Sequence, residues 1–425
     1  MKYLKQSSKA IHIGHDTTST QSSRAVPIYQ TSSYVFKSTD HAANLFSLKE
    51  SGYIYTRLNN PTNDILEQRL AAVEEGIGAA VFASGTAAIS TTLLSLLKTE
   101  DHIVSSSSLY GGTYNLLETT LKRYGIETTF VDADIIENFQ KAIKPQTKII
   151  FIESLGNPKL DVLDIEAIAK VANANHIPLI VDNTVASPAL LNPIKYGANI
   201  VIHSLTKFIG GQGTSLGGAV IDAGTFDWAN GKFPEFTEPS KGYHGLIYTE
   251  ALGNAAFIAK LRLEGLRDFG GSLSPLSAFQ LIQGLETLTV RIKQHSINAL
   301  EIAQWLETKE EVAWVNYPGL KSNKYYRLAK KYLPKGQSGI VTFGLKGGFE
   351  AAKKFTDSTS LFSLLANIGD TKSLIIHPAS TTHQQLTEEQ QLSTGVSQDL
   401  IRLSIGLEDV EDIKADIEQA LKKTK

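Results

Sequence analysis

Lys207 stands directly after an apolar run, in Ile202-His203-Ser204-Leu205-Thr206-Lys207, and just before a glycine-rich stretch that begins at Gly210. A lysine at a strand end, with hydroxyls one and three residues before it, suits Schiff-base chemistry: the amine condenses with an aldehyde, and the hydroxyls of Ser204 and Thr206 hydrogen-bond a nearby anion. The glycines let a bulky ring approach the backbone. A lone lysine in such a setting is more often a solvated loop residue, so its partners decide. Upstream, Ile177-Pro178-Leu179-Ile180-Val181-Asp182-Asn183-Thr184 reads as a buried parallel strand ending in a carboxylate. Ligands of open α/β sheets bind at such strand ends, where Asp182 can pair with a protonated ring nitrogen, although a capping or turn aspartate has the same look.

Two further segments fit the same chemistry. A strand at 80–83 runs into Ser84-Gly85-Thr86 and then a helix at 87–97. A small-residue turn at a helix start offers free N–H groups and a favourable dipole to a phosphate, and Ser84 and Thr86 suit an ordinary N-cap equally well. Tyr110 precedes Gly111-Gly112 beyond the strand at 103–104, where an aromatic can stack on a flat ring or lie half-buried in a turn.

These residues must be positioned by a sheet. Between about 66 and 222, strands at 80–83, 103–104, 128–131, 149–153, 179–182, 200–203 and 218–221 alternate with helical stretches, which predicts an α/β, mostly parallel, seven-stranded doubly wound sheet. Residues 1–65 read as an extended arm rich in Ser, Thr and Asn and poor in helical period, with a helix over 64–75. Residues 223–248 show little periodicity and are expected to cover the site entrance. A helix at 275–308, strands at 315–317, 339–345 and 374–377, and a closing helix at 409–422 predict a smaller α+β C-terminal domain. The domain division is thus 1–65, 66–265 and 266–425.

Phosphate anchor, stacking tyrosine, ring-nitrogen carboxylate and amine follow one another in that order, each at or near a strand end. Together they resemble the fold-type I pyridoxal-phosphate enzymes, most closely the Cys/Met-metabolism family, over essentially the whole chain. The resemblance implies pyridoxal 5'-phosphate held by Ser84, Gly85, Thr86, Tyr110, Asn157, Asp182, Thr184, Ser204, Thr206 and Lys207. It implies catalysis by Lys207, Tyr110 and Asp182. Tyr55 and Arg57, in the family's Tyr-x-Arg arm motif, would reach the cofactor phosphate of a neighbouring subunit, so at least a dimer and usually a tetramer is expected. Arg402, in Leu400-Ile401-Arg402-Leu403-Ser404, matches the carboxylate-binding arginine. Ser373 matches the neighbouring backbone contact, and Asn157 a residue near the ring hydroxyl and the substrate.

Within the family, three details resemble the O-acetylhomoserine sulfhydrylase branch: Lys372 where synthases and lyases carry glutamate, the long 223–248 segment, and the length of 425 residues. Thr86 stands where that branch often has glutamine, and its backbone N–H can still donate. The implied reaction is γ-replacement on O-acetylhomoserine by sulfide or a small thiol. Cystathionine γ-synthesis and the γ-lyase activities are the alternatives on the same scaffold.

Other classes fit poorly. Gly213-Thr214-Ser215-Leu216-Gly217 matches a nucleophile elbow, but that motif needs a strand before and a helix after, and here a strand follows. The glycine run lacks the Gly-Lys-Ser/Thr of a P-loop. With no cysteine, disulfides and thiolate metal sites are excluded. A net charge of −2 gives no sign of nucleic-acid or anionic-membrane partners. No apolar run reaches transmembrane length, and the N-terminal residues lack an apolar signal core, so a cytoplasmic protein is expected.

Overall fold

The computed structural model describes residues 5–385 and 387–424. Its centre is a seven-stranded sheet of β1 (Gly78–Phe82), β2 (His102–Ser106), β3 (Glu127–Val131), β4 (Thr147–Glu153), β5 (Leu179–Asp182), β6 (Ile200–Ser204) and β7 (Gly218–Asp222), in the order β1-β7-β6-β5-β4-β2-β3. Strands β2 to β6 pair in parallel, whereas β7 is antiparallel to both β6 and β1. The reason is local. A loop rather than a crossover helix joins β6 to β7, so the chain turns straight back, and Lys207 rides on that turn. Strands β4 and β5 are buried along nearly their whole length, as parallel strands covered on both faces must be.

Helices cover both faces. Gly85–Leu96 packs on one, capped by the Ser84 hydroxyl, which accepts from the Ala87 N–H at 3.0 Å. Such a cap stabilises a helix by about 1 kcal/mol. Pro61–Glu74, Ile165–Ala174 and Pro275–Leu306 cover the other. The last has 32 residues, about 48 Å at 1.5 Å per residue. Its first half buries Leu281, Leu285 and Leu288 against the large sheet, and its second half buries Ala299, Ile302 and Leu306 in the smaller core. That smaller core is built on β8 (Val312–Asn316), β9 (Ile340–Leu345), β10 (Ser363–Leu364), β11 (Leu374–Ile376) and β12 (Leu400–Ser404), ordered β10-β11-β12-β9-β8. Arg402 sits in the middle of β12, opposite Thr342 on β9 and Ile376 on β11.

Two expectations are corrected. The N-terminal region contains the helices Gln6–His12 and Thr39–Phe46, so it is not wholly extended. It is folded on itself by Asn60, whose amide donates to the Tyr29 carbonyl at 2.8 Å and to the Tyr34 hydroxyl at 2.9 Å, and tied to the rest of the chain by Asn63, whose amide donates to the Leu273 carbonyl at 2.9 Å. Residues 223–248 do not cover the site entrance. Lys148 donates to the Lys232 carbonyl, Asn230 to the His176 carbonyl and Asn199 to the Thr225 hydroxyl. Those three contacts lie at the starts of β4, β5 and β6, the opposite end of the sheet from Asp182. The segment's aromatics hold it there: Trp228 stacks on Phe236 and Phe257 at centroid distances of 4.4 and 5.3 Å.

Candidate active site

A cavity of about 220 Å³ opens at the carboxyl ends of β4, β5 and β6, against the loop before β11 and the middle of β12. Ser84, Gly85 and Thr86 line it from the helix start, Tyr110 from beyond β2, Asn157 from beyond β4, and Asp182 and Thr184 from β5. Ser204, Thr206 and Lys207 line it from β6 and its turn, and Arg402 from β12. Sequence reasoning thus identified most of this wall. It did not identify Glu153, Asn367, Leu216 and Thr382, which line the same space.

The anion end is tightly built. A Cβ on Gly85 would lie 2.7 Å from the Ser204 Cβ, so only glycine lets the helix start close onto β6. The Thr184 hydroxyl accepts from the Ser204 N–H at 2.7 Å, and the Thr206 hydroxyl accepts from the Gly217 N–H at 3.0 Å. Hydroxyls gathered at the N–H groups of a helix start suit a phosphate.

At the floor lie two carboxylates in register. Glu153 on β4 pairs with Asp182 on β5, so both side chains leave the sheet on the same face. Burial pushes the Glu153 carboxyl well up, and the neighbouring Asp182 charge pushes it further. Its Oε1 accepts from the Tyr110 N–H at 2.6 Å, which fixes the loop bearing the tyrosine ring. Asp182 is also raised by burial, opposed by hydrogen bonds from Thr184, whose N–H donates to Oδ1 at 2.9 Å, and then by His203. His203 lies on the far face of β6, 2.5 Å from Glu74. A cationic ring nitrogen beside Asp182 would supply the charge that burial withholds.

The amine faces them. Lys207 Nζ donates to Asn367 Oδ1 at 2.6 Å. Burial first, and the Arg402 charge second, lower its pKa to about 8. The turn that carries it is clamped from the long helix: the buried Arg291 guanidinium donates to the Phe208 and Ile209 carbonyls of the turn at 2.7 and 2.9 Å, and to the Gly284 carbonyl of its own helix at 2.7 Å. Gly211, at φ +69°, is the other half of that clamp, because a Cβ there would meet Arg291 at 2.0 Å.

Arg402 is the least compensated charge. It is buried, donating to Asn157 Oδ1 at 3.2 Å and to the Asn367 carbonyl at 3.1 Å. Its Nε has no hydrogen-bond partner, and no carboxylate pairs with it, among the described residues. Burial lowers its pKa to about 10. A buried guanidinium without a counter-charge costs several kcal/mol, so the pocket is arranged to receive an anion.

Three expected residues lie elsewhere. Ser373 does not reach the cavity: it is fully buried, its N–H and hydroxyl donate to Glu408, and its hydroxyl accepts from the Gly406 N–H. Asn367, six residues earlier, occupies the place beside Arg402. Tyr55 and Arg57 line a separate surface groove with Gln30–Ser32 and Ser272–Pro275, and Arg57 donates to the Arg267 carbonyl. Ser215 bonds to Gln280 rather than to a histidine, so no nucleophile elbow forms. Among the described residues there is no cluster of three potential metal ligands, and no helix is long and apolar enough to cross a membrane.

Residues 7–422 match the family described as Cys/Met metabolism PLP-dependent enzyme. The chain is 56% identical over 422 residues to a Leptospira meyeri protein named O-acetyl-L-homoserine sulfhydrylase, covering 97% of this chain and 96% of that one. It is 50% identical over 414 residues to a Schizosaccharomyces pombe homocysteine synthase, with the same two coverages. A Campylobacter jejuni crystal structure described as an O-acetylhomoserine (thiol)-lyase, carrying N'-pyridoxyl-lysine-5'-monophosphate at its position 205, superposes with a TM-score of 0.96. It is 45% identical and covers 99% of this chain and 100% of that chain.

Proposed function

The chain belongs to the Cys/Met metabolism family of PLP-dependent enzymes, and from that premise we propose that it makes homocysteine and acetate from O-acetyl-L-homoserine and sulfide, a step of methionine biosynthesis. The observation that carries the substrate class is Arg402, a buried guanidinium with an unpartnered Nε beside the Lys207 amine, which suits the carboxylate of an amino acid. The names of relatives covering almost the whole chain support the acyl donor and the sulfur acceptor.

The residues fit the cofactor. Ser84, Gly85, Thr86, Ser204 and Thr206 would hold its phosphate, in a cradle whose closeness depends on the missing Cβ of Gly85 against Ser204; Asp182 would pair with its ring nitrogen, and Lys207 would hold its aldehyde. When bound, pyridoxal phosphate supplies an aldehyde that condenses with amines and a ring that stores an electron pair. In this reading Arg402 and Asn157 take the substrate carboxylate and orient the amino acid. Lys207, once its amine is free, removes the Cα proton and then moves protons at Cβ. With a pKa near 8, a useful share of that amine is neutral at physiological pH. Asp182 would keep the bound ring's nitrogen protonated. Tyr110, fixed through its N–H to Glu153, would hold the ring by its aromatic face and assist proton transfer, a contribution of about 10²–10⁴-fold. Acetate departs from Cγ and sulfide adds there.

The same reading takes the protein as a homo-oligomer, at least a dimer and in this family usually a tetramer. Support comes from Tyr55 and Arg57, which stand outside their own chain's cavity in a surface groove, with Tyr55 42% exposed, where a neighbour's phosphate cradle could meet them. It assigns the protein to the cytoplasm, where amino acids are made. The test is to supply O-acetylhomoserine with sulfide, and separately with cysteine, to the purified protein loaded with pyridoxal phosphate. Homocysteine from sulfide supports the reading; cystathionine from cysteine alone would replace it with the synthase reaction.

A further inference from the structure

We propose that Asn367 is a positioning residue of this site: its side-chain amide receives the Lys207 amine whenever that amine is not bonded to the cofactor, while its own carbonyl fixes Arg402, so that one residue sets the base and the carboxylate anchor in register. The inference rests on the function proposed above.

Asn367 lies 160 residues from Lys207 and 35 from Arg402, yet touches both, through Oδ1 at 2.6 Å and through its carbonyl at 3.1 Å. Its segment, between β10 and β11, is held on two sides. The Gly369 N–H donates to the Ser404 hydroxyl at 2.9 Å, tying it to β12, and the Thr371 N–H donates to the Gly211 carbonyl at 2.9 Å, tying it to the turn after Lys207. The amide is therefore a fixed acceptor rather than a loose one. Lys207 has four carbons to move through, and a base must return its proton to one face of one atom, so a defined resting place limits where the amine goes. A neutral amide suits this role better than a carboxylate, which would hold the ammonium and keep its proton. The charged and titratable groups sharing the cavity with Lys207 are Arg402, Asp182, Glu153 and Tyr110, and His383 lies close to Arg402.

The two halves of the role separate by mutation, because Asn367→Ala removes the amide and leaves the carbonyl on Arg402. The first readout needs no turnover. Full-length protein freed of cofactor is mixed with pyridoxal phosphate, and the growth of visible absorbance is followed against pH. For the wild type the capture rate rises about tenfold per pH unit and levels near pH 8, where the amine is half neutral. Asn367→Ala loses an acceptor that favours the charged amine, so its midpoint falls by about one pH unit, the size of one charge-assisted hydrogen bond. Asn367→Asp adds an anion and its midpoint rises by a similar amount. Damage to the fold would move both variants the same way. In the loaded enzyme, Asn367→Ala lowers kcat on the order of tenfold and leaves KM for the amino acid nearly unchanged, and Asn367→Gln recovers part of kcat. Coincident midpoints for the three proteins, or a raised KM with unchanged kcat, would overturn the proposal while leaving the proposed function intact. A wild type that captures no pyridoxal phosphate would overturn both.

Discussion

Replacing Glu153 by glutamine should stabilise this protein above about pH 4 and do nothing below. The carboxyl is buried beside Asp182, and burial and the Asp182 charge hold its pKa well above the ordinary value. In the unfolded chain it titrates near about 4.3. Below that pH both states carry the proton, and the neutral acid and the amide are equivalent. Above it the unfolded chain releases the proton while the fold retains it, so wild-type stability falls by about 1.4 kcal/mol per pH unit until the folded pKa is reached, then stays level. Glutamine has no proton to release, so the variant lacks this slope. Its Oε1 can still accept from the Tyr110 N–H, which keeps the tyrosine loop in place. With an unfolding entropy of about 2.1 cal/mol/K per residue, a chain of this length shifts its Tm by about 1.5 °C per pH unit of that slope. Melting curves of cofactor-free wild type and Glu153→Gln between pH 4 and 8 should therefore coincide at the acid end and diverge upward. Curves that stay parallel throughout would show that Glu153 is ionised in the fold and that the two carboxylates do not share a dry floor.

Further outcomes follow from the same geometry. Arg402→Met removes the carboxylate fork, and kcat/KM should fall on the order of 100-fold, about 3 kcal/mol, while pyridoxal phosphate still binds. Because that guanidinium is buried without a counter-charge, the cofactor-free variant should melt no lower than the wild type, and a large loss of Tm would mean that Arg402 is structural. Arg291→Met removes the guanidinium from the Phe208 and Ile209 carbonyls, which should cost about 3 kcal/mol and lower Tm by about 3 °C, with slower cofactor capture because the Lys207 turn loses its clamp. Unchanged capture in that variant would separate the clamp from the site.

The reading of the fold from sequence rested on apolar runs, which are clearest in the central strands β4, β5 and β6 because those strands are covered on both faces, and weakest in the edge strand β3, which is only partly buried. What such runs do not show is direction: β7 runs antiparallel because a turn, not a helix, precedes it. Lys207 and Asp182 were legible because each ends an apolar run. Glu153 ends one as well, in Ile149-Ile150-Phe151-Ile152-Glu153, and the same signal marks it. Asn367 gave none, since an asparagine in a loop becomes a partner of Lys207 only when two domains meet. Ser373 lies away from the cavity for the converse reason, its N–H being taken by Glu408 and its carbonyl by the Ser363 N–H where the sequence shows only a serine before a strand. In the 223–248 segment, the absence of periodicity suggested a cover over the site. The better signal was Phe226, Trp228, Phe233, Phe236 and Tyr248 within one stretch, since so many aromatics together seek a core.

The central claim is that the Lys207 amine holds the cofactor and carries the protons of a γ-replacement. The most direct measurement compares wild type with Lys207→Ala, both supplied with pyridoxal phosphate, by visible spectrum and by homocysteine formed from O-acetylhomoserine and sulfide. The account predicts a coloured wild type that forms homocysteine, and a variant that lacks the lysine-linked absorbance and forms none above background. A variant that keeps both the absorbance and the turnover would contradict it.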